Sequence, residues 1–259
     1  TKILRLKALS KEWEYLPSTE KLNEIFEKYK PKLLLLTSPD NPTGQVPKED
    51  FLKSAMEICI DSKAYLAIDF AYKTQTFIDK PSYYSWSPLE YENFISINSN
   101  SKWVRGLGRR MGWIEANENL IEGVERTQQC TILCPDTLHQ LATTNFLNKT
   151  LENGKLKEYL EKTREEYRKT AELTIKAIDK FLGFRRLVPQ GGLYTVADVE
   201  TDCKKFVLGA LKNTGVLFVP GIGFGKTLKN AIRISYGPLV REKEKIEIGM
   251  EKVAKWIKR

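Results

Sequence analysis

The chain has 259 residues, of which 41% are hydrophobic and 29% are charged. This composition is typical of a folded globular protein that is long enough for one large core or two smaller ones. The formal net charge is +9, but basic residues alternate with glutamates in stretches such as 155–165 and 241–245. Such stretches are typical of solvated helix faces, so we expect no nucleic-acid partner.

The residue types present exclude several kinds of site. A single histidine, His139, cannot build a site that needs two or more histidines, and we expect it to be structural. Four irregularly spaced cysteines form no zinc pattern and indicate reduced thiols in a cytoplasmic protein. No apolar run approaches the roughly 20 residues of a membrane helix and no secretory leader opens the chain, so we expect no membrane partner.

The first part of the chain alternates strand and helix patterns. We predict strands at residues 1–6, 32–37, 64–68, 94–98 and 112–116, and helices at about 18–28, 47–62, 117–127 and 135–147. The four consecutive leucines at 33–36 indicate a strand buried on both faces, and Pro47 fits the first turn of the helix that follows. This alternation predicts an α/β fold with a mainly parallel sheet flanked by helices.

The pattern changes near residue 151. A long charged helix is predicted over 152–181, followed by short strands at 185–187, 193–199, 216–219 and 231–235 and by helices near 204–211 and from about 240. We therefore predict two domains. Residues 1–150 form a large domain, and residues 151–259 form a connecting helix and a smaller C-terminal α+β domain.

Three candidate groups come directly after predicted strands of the large domain: Asn41, Asp69 and the stretch 99–102. In parallel α/β sheets, ligands bind at the carboxyl ends of the strands. We therefore expect these groups to meet at one edge of the sheet and to form a single site.

The stretch 99–102 holds two serines and a lysine, Ser99, Ser101 and Lys102, and Arg110 follows eight residues after the lysine. A neutral lysine amine is the nucleophile that forms a Schiff base with a carbonyl compound. Serine hydroxyls and an arginine fork are suitable partners for a phosphate dianion. A site that needs both an amine and a phosphate cradle indicates pyridoxal 5'-phosphate (PLP).

These residues resemble the fold-type-I PLP-dependent enzymes, above all the class I and II aminotransferases. The resemblance covers essentially the whole chain and includes the motifs Asn41-Pro-Thr-Gly44 and Asp69-Phe-Ala-Tyr72. The intervals from Asn41 to Asp69 and from Asp69 to Lys102, 28 and 33 residues, are close to those of the family. The runs 189–194 and 219–225 also resemble family landmarks of the small domain.

The resemblance implies a role for each site residue. Lys102 is the Schiff-base lysine, which also carries the α-proton, and Asp69 pairs with the pyridine nitrogen of PLP. Asn41 and Tyr72 share the phenolic oxygen of the cofactor. Ser99, Ser101 and Arg110 hold its phosphate, with Arg110 preferred to Arg109 and Arg105 because of its position. Arg233 binds the α-carboxylate of the substrate, and Asn41 lies beside it.

The implied activity is that of a PLP-dependent aminotransferase, which moves an amino group between an amino acid and a 2-oxo acid in a ping-pong cycle. A PLP-dependent lyase, decarboxylase or synthase of the same fold is the first alternative, because the motifs specify the cofactor and not the bond that breaks. A non-catalytic PLP-binding regulatory domain is the second. A homodimer is expected, because fold-type-I sites are commonly completed by a second subunit.

The chain departs from the family in one respect. Family members are substantially longer, and this chain begins where they are about one third complete. We expect the large domain to be partial, without the loop that completes the phosphate site and without the ring that stacks on the pyridine. A partial domain should leave apolar sheet and core surface uncovered.

Overall fold

A computed structural model of the protein describes residues 2–10 and 12–258, and it is built on two β-sheets. The first sheet has the strand order β1 (Leu33–Thr37), β2 (Tyr65–Asp69), β3 (Phe94–Ser99) and β4 (Gly112–Glu115). Strands β1, β2 and β3 are parallel, and β4 runs antiparallel to β3. The predicted α/β fold with a mainly parallel sheet is confirmed.

Strand β4 is antiparallel because the segment between β3 and β4 holds only the one-turn helix α3 (Asn100–Trp103). A parallel return needs a longer crossover, usually a full helix.

Helices α1 (Thr19–Tyr29) and α2 (Glu49–Asp61) enclose the core of the first sheet. Helix α1 begins after Ser18, whose hydroxyl accepts a hydrogen bond from the backbone N–H of Lys21. Its buried residues are one turn apart, so they face the sheet together. The core of this region includes Leu22, Phe26, Leu52, Met56, Leu66, Ile68, Tyr83 and Phe94.

Helices α4 (Glu118–Thr131) and α5 (Thr137–Glu152) follow the first sheet. The second sheet has the order β5 (Tyr194–Asp198), β7 (Ala231–Ser235), β6 (Val219–Pro220), and both pairings are antiparallel. It packs with α6 (Lys155–Ala177), α7 (Cys203–Thr214) and α8 (Glu244–Ile257). None of the helices in the described parts of the chain is both long and apolar enough to cross a membrane.

Three predictions about the first part of the chain are wrong. Leu33 and Leu35 of β1 are 51% and 57% exposed, because the helices of the described chain cover only one face of this strand. Pro47 precedes helix α2, which begins at Glu49 after Lys48. The backbone carbonyl of Pro47 instead accepts a hydrogen bond from the Tyr83 hydroxyl at 3.0 Å. Residues 2–8 form no strand.

The predicted helix 152–181 is shorter in the structure, because other elements occupy its first and last residues. Helix α5 continues to Glu152, and Gly154, with a positive φ of 66°, separates it from α6. Helix α6 ends at Ala177 and continues as the wider turn Ile178–Leu182. The predicted strand 185–187 is a single bridge between Arg186 and Ala197, because the chain crosses β5 at only one residue.

Candidate active site

The parallel strands of the first sheet end at the same level. Thr37 of β1 lies opposite Asp69 of β2, and Asp69 lies opposite Ile97 of β3. The loop after β1, the turn after β2 and helix α3 after β3 therefore leave the sheet at one edge. These three segments carry Asn41, Tyr72 and Lys102.

One carboxylate oxygen of Asp69 accepts a hydrogen bond from the described chain, and the other does not. Its Oδ1 accepts a hydrogen bond from the backbone N–H of Ala71 at 2.8 Å, which orients the carboxylate at the end of β2. Its Oδ2 has no hydrogen-bond partner in residues 2–10 and 12–258. This oxygen can therefore accept a hydrogen bond from a protonated ring nitrogen.

Lys102 lies on α3, and Ser99 is the N-cap of this helix. The Ser99 hydroxyl accepts the backbone N–H of Ser101 at 3.2 Å. Buried Asn100 fixes the helix, because its N–H donates to the carbonyl of Met111 and its Oδ1 accepts the indole N–H of Trp103. Lys102 Nζ lies 5.3 Å from the centroid of the Tyr72 ring, and it has no ion pair or hydrogen bond with any described residue.

Gly44 joins the Asn41 loop to the second sheet. Its φ is +69°, and a Cβ at this position would lie 2.6 Å from the carbonyl oxygen of Tyr194. The Gly44 carbonyl accepts the backbone N–H groups of Gln190 and Gly191 at 2.8 and 3.0 Å. A residue with a side chain would be strained here and would separate the two backbones, so glycine permits the close approach.

Arg233 of β7 faces the Asn41 loop. Its Nη1 donates to Asn41 Oδ1 at 3.0 Å, and its guanidinium carbon lies 4.1 Å from the ring centroid of Tyr194 and 5.1 Å from that of Phe224. Its Nε is buried and has no partner in the described structure. The guanidinium therefore keeps donors for a planar anion such as a carboxylate.

Tyr72 and Tyr194 connect the lysine side of the site with the arginine side. The Tyr72 hydroxyl donates to the Tyr194 hydroxyl at 3.1 Å, and the rings meet edge to face with centroids 5.7 Å apart. Burial, and after it the hydrogen bond to Tyr194, raises the pKa of Tyr72 well above its ordinary value. Tyr72 is therefore a proton donor at neutral pH.

Arg110 is the predicted residue that stands apart. It is exposed with a positive φ of 53°, and it lines a cleft of about 510 Å³ with Asn119 and Thr127. No hydrogen bond joins it to Ser99 or Ser101 within the described chain. Arg109 is also exposed, and its Nη1 lies 3.7 Å from Asp136 Oδ2.

Tyr194 and Phe224 were not among the predicted site residues. Both lie in runs that resemble family landmarks, but neither carries a charge or a nucleophile that would mark it in the sequence. Tyr194 is 122 positions from Tyr72, so only the packing of the second sheet against the first brings them together.

The residues fit PLP at three points. Lys102 provides an amine without a salt bridge, Asp69 has a free oxygen for the ring nitrogen, and Tyr72 is a half-buried hydrogen-bond donor. Arg233, with its buried and unpartnered Nε, fits the carboxylate of an amino acid. At the phosphate end, Ser99 and Ser101 lie at the start of α3, and the contribution of Arg110 stays a prediction.

The family description "Aminotransferase class I and II" matches residues 9–252 of this chain. The chain belongs to this family. Pyridoxal phosphate is the cofactor of the class I and II aminotransferases. The predicted membership of the fold-type-I PLP enzymes is confirmed.

Individual aminotransferases match over most of this chain. An LL-diaminopimelate aminotransferase of Natranaerobius thermophilus is 31% identical over 88% of this chain and 57% of its own length. An aspartate aminotransferase of Pyrococcus abyssi is 29% identical over 86% of this chain and 57% of its own length. The solved aromatic aminotransferase of Pyrococcus horikoshii OT3 superposes with a TM-score of 0.83 at 28% identity and covers 96% of this chain and 66% of its own.

The chain thus spans less than two thirds of the length of these two curated relatives. The names of the relatives differ in substrate, with diaminopimelate, aspartate and aromatic amino acids all represented. The family is therefore established, and the similarity by itself selects none of these substrates.

Proposed function

We propose that this protein is a PLP-dependent aminotransferase that moves an amino group between an amino acid and a 2-oxo acid in a ping-pong cycle. The observation that supports this most directly is a continuous line of contacts. It runs from Lys102 over the ring of Tyr72, through Tyr194 to Arg233, and from Arg233 to Asn41. An amine for a carbonyl cofactor and a guanidinium for a carboxylate are thus held in one site.

The proposed cofactor contacts follow from the donor and acceptor chemistry of each residue. Lys102 is the Schiff-base lysine, and the free oxygen of Asp69 pairs with the pyridine nitrogen. Asn41 and Tyr72 bind the phenolic oxygen. The phosphate is assigned to Ser99, Ser101 and Arg110, which together offer two hydroxyls and one guanidinium. When bound, PLP supplies an electron sink for the electron pair left at Cα after proton removal.

The reaction then needs a base near Cα and an anchor for the substrate. Arg233 binds the α-carboxylate with its remaining N–H donors, while Asn41 holds its Nη1. Lys102 Nζ, which has no ion pair in the described structure, takes the proton from Cα and later returns it. The ring of Phe224 lies 5.1 Å from the guanidinium carbon and makes a second cation–π contact with it.

The division into a large domain, residues 1–150, and a connecting helix with a small domain, residues 151–259, belongs to the same proposal. The two largest hydrophobic clusters lie on either side of the division and support it, although a third cluster joins Leu9 to residues between Leu187 and Ala231 across it. One contains residues between Leu22 and Phe94, and the other contains residues between Ala177 and Val253. The site lies where the loops of the two parts meet, a frequent location for ligand sites.

A homodimer and a cytoplasmic location are also proposed. The apolar surface of α5 and of the segment that joins it to α4 includes Ile132, Leu133, Leu138 and Leu141 at 63% exposure or more, and it supports a protein partner. All four cysteines are free thiols, which supports a reducing compartment.

The test is an absorption spectrum of the complete gene product, verified by intact mass, with added PLP. We expect a near-ultraviolet or violet band that disappears in Lys102→Ala and persists in the control Lys162→Ala, which removes an exposed lysine of α6. Pairs of amino donors and 2-oxo acids are then screened. The absence of a lysine-dependent band would refute the proposal. Release of ammonia or carbon dioxide without transfer to a 2-oxo acid would indicate the lyase or decarboxylase alternative.

A further inference from the structure

Tyr194 has a fixed place between the two sheets. It begins β5, where it pairs with Ser235 of β7, and its side chain is partly buried. The loop before it is held to the Asn41 loop by the two hydrogen bonds to the Gly44 carbonyl. The buried Tyr236 hydroxyl donates to the Gly192 carbonyl at 3.1 Å and supports the same loop from the other side. The backbone of Tyr194 is thus set relative to both site loops.

The side chain of Tyr194 makes two different contacts. Its hydroxyl oxygen accepts a hydrogen bond from the Tyr72 hydroxyl, with 3.1 Å between the two oxygens. Its ring centroid lies 4.1 Å from the guanidinium carbon of Arg233. One contact is polar and directed to the residue proposed to bind the phenolic oxygen of PLP. The other is a cation–π contact to the residue proposed to bind the substrate carboxylate. No other described side chain touches both residues in this way.

We propose that Tyr194 is a positioning residue that couples the cofactor side of the site to the substrate side, its hydroxyl holding Tyr72 and its ring holding Arg233. This inference rests on the proposed function. Tyr72 has a single O–H, so the Tyr194 oxygen and a phenolic oxygen of the cofactor compete for the same proton. The ring of Tyr194 limits the orientations of the guanidinium, whose Nε has no partner of its own.

The two contacts can be removed separately. Tyr194→Phe removes the hydroxyl and keeps the ring, so Tyr72 donates fully to the cofactor oxygen and stabilises its anionic form. The absorbance of the lysine-dependent band changes with pH, and we expect the pH at which this change is half complete to fall by about half a unit to one unit. Tyr194→Leu removes the ring as well, and the guanidinium loses its stacking partner.

The carboxylate side is measured with 2-aminoisobutyrate, which has an α-carboxylate but no α-proton to lose. Its affinity is read from the change that it causes in the absorption spectrum of the PLP-loaded, complete protein. We expect Tyr194→Leu to weaken its binding by about threefold to tenfold relative to the unchanged protein. Tyr194→Phe stays within about twofold, because the ring is still present.

Tyr29→Phe is the matched control, because it removes a tyrosine hydroxyl on an exposed ring of α1. It should leave the pH midpoint and the affinity unchanged. An unchanged midpoint in Tyr194→Phe, or equal affinities in Tyr194→Phe and Tyr194→Leu, would overturn the inference while the lysine-dependent band still supports the proposed function. If the unchanged protein shows no such band, the proposed function fails and this inference fails with it.

Discussion

The two sheets of this protein differ in how completely they are covered. The second sheet lies in a core with strands and helices that bury residues such as Ile232, Val253 and Ala210 at 0% exposure. In the region of the first sheet, no residue of helices α4 and α5 is buried, and every residue of β4 is exposed. A cleft of about 920 Å³ lies against β4 and α4, and it contains none of the proposed site residues.

The open surfaces of the first region have a common cause. Strands β1 and β4 are the two ends of the first sheet, and neither has a further strand beside it in the described chain. Unpaired strand edges with apolar side chains favour association with other polypeptide. The second region therefore closes its own core, while the first completes only the face packed by α1 and α2.

Truncating one apolar residue in each region tests this difference in coverage. Ile232→Ala removes a fully buried side chain and should lower the free energy of unfolding by about 2–5 kcal/mol. Leu138→Ala removes a side chain that is 73% exposed in the single chain, so at concentrations where the protein is monomeric it should change this free energy by less than about 0.5 kcal/mol. Denaturant unfolding of the PLP-free protein measures both. A large loss in Leu138→Ala would show that α5 is covered in solution.

The contact between the regions is tested by a matched pair of glycines. Gly44→Ala combines a positive φ with a Cβ that would lie 2.6 Å from the Tyr194 carbonyl, and it should destabilise the protein by about 2–3 kcal/mol. Gly215→Ala has a similar φ of +74° but open space around its Cβ, so about 1 kcal/mol is expected. Equal losses of unfolding free energy in the two variants would mean that the close approach of Gly44 to Tyr194 does not add to the cost of a side chain at position 44.

The smallest expected effect is a pH dependence within the first region. Hydrogen bonds from Ser82 lower the pKa of Glu49 from 4.5 to about 2. Because the folded pKa is the lower one, the stabilisation is present above pH 4.5 and is lost as the pH falls toward 2. The stability difference between the unchanged protein and Glu49→Gln should therefore shrink over this interval in thermal unfolding. The effect is small because the carboxylate is exposed.

Glu57→Gln is the control for this pH dependence, since it changes an exposed glutamate of the same helix that has no partner in the described chain. Its stability difference should show no such loss between pH 4.5 and 2. A loss of the same size in both variants would contradict the assignment to the Glu49–Ser82 contact.

Much of the fold and part of the site could be predicted from short patterns. Strands β2, β3 and β7 lie within two residues of their predicted bounds, because a run of apolar residues between turn residues identifies a strand locally. Asn41, Asp69 and Lys102 could be selected because each follows such a strand. The covered and uncovered faces of β1 could not be predicted, because burial depends on which other elements pack against the strand.

The kind of chemistry can be inferred from the sequence alone, since an amine, a carboxylate and two guanidinium groups are properties of single residues. It also determined the alternation of strands and helices, which follows from hydrophobic periodicity. The folded protein alone shows that Arg233 donates a hydrogen bond to Asn41, 192 positions away, and that Tyr194 lies between Tyr72 and Arg233. Such contacts depend on how two sheets pack against each other, and no local propensity specifies that packing.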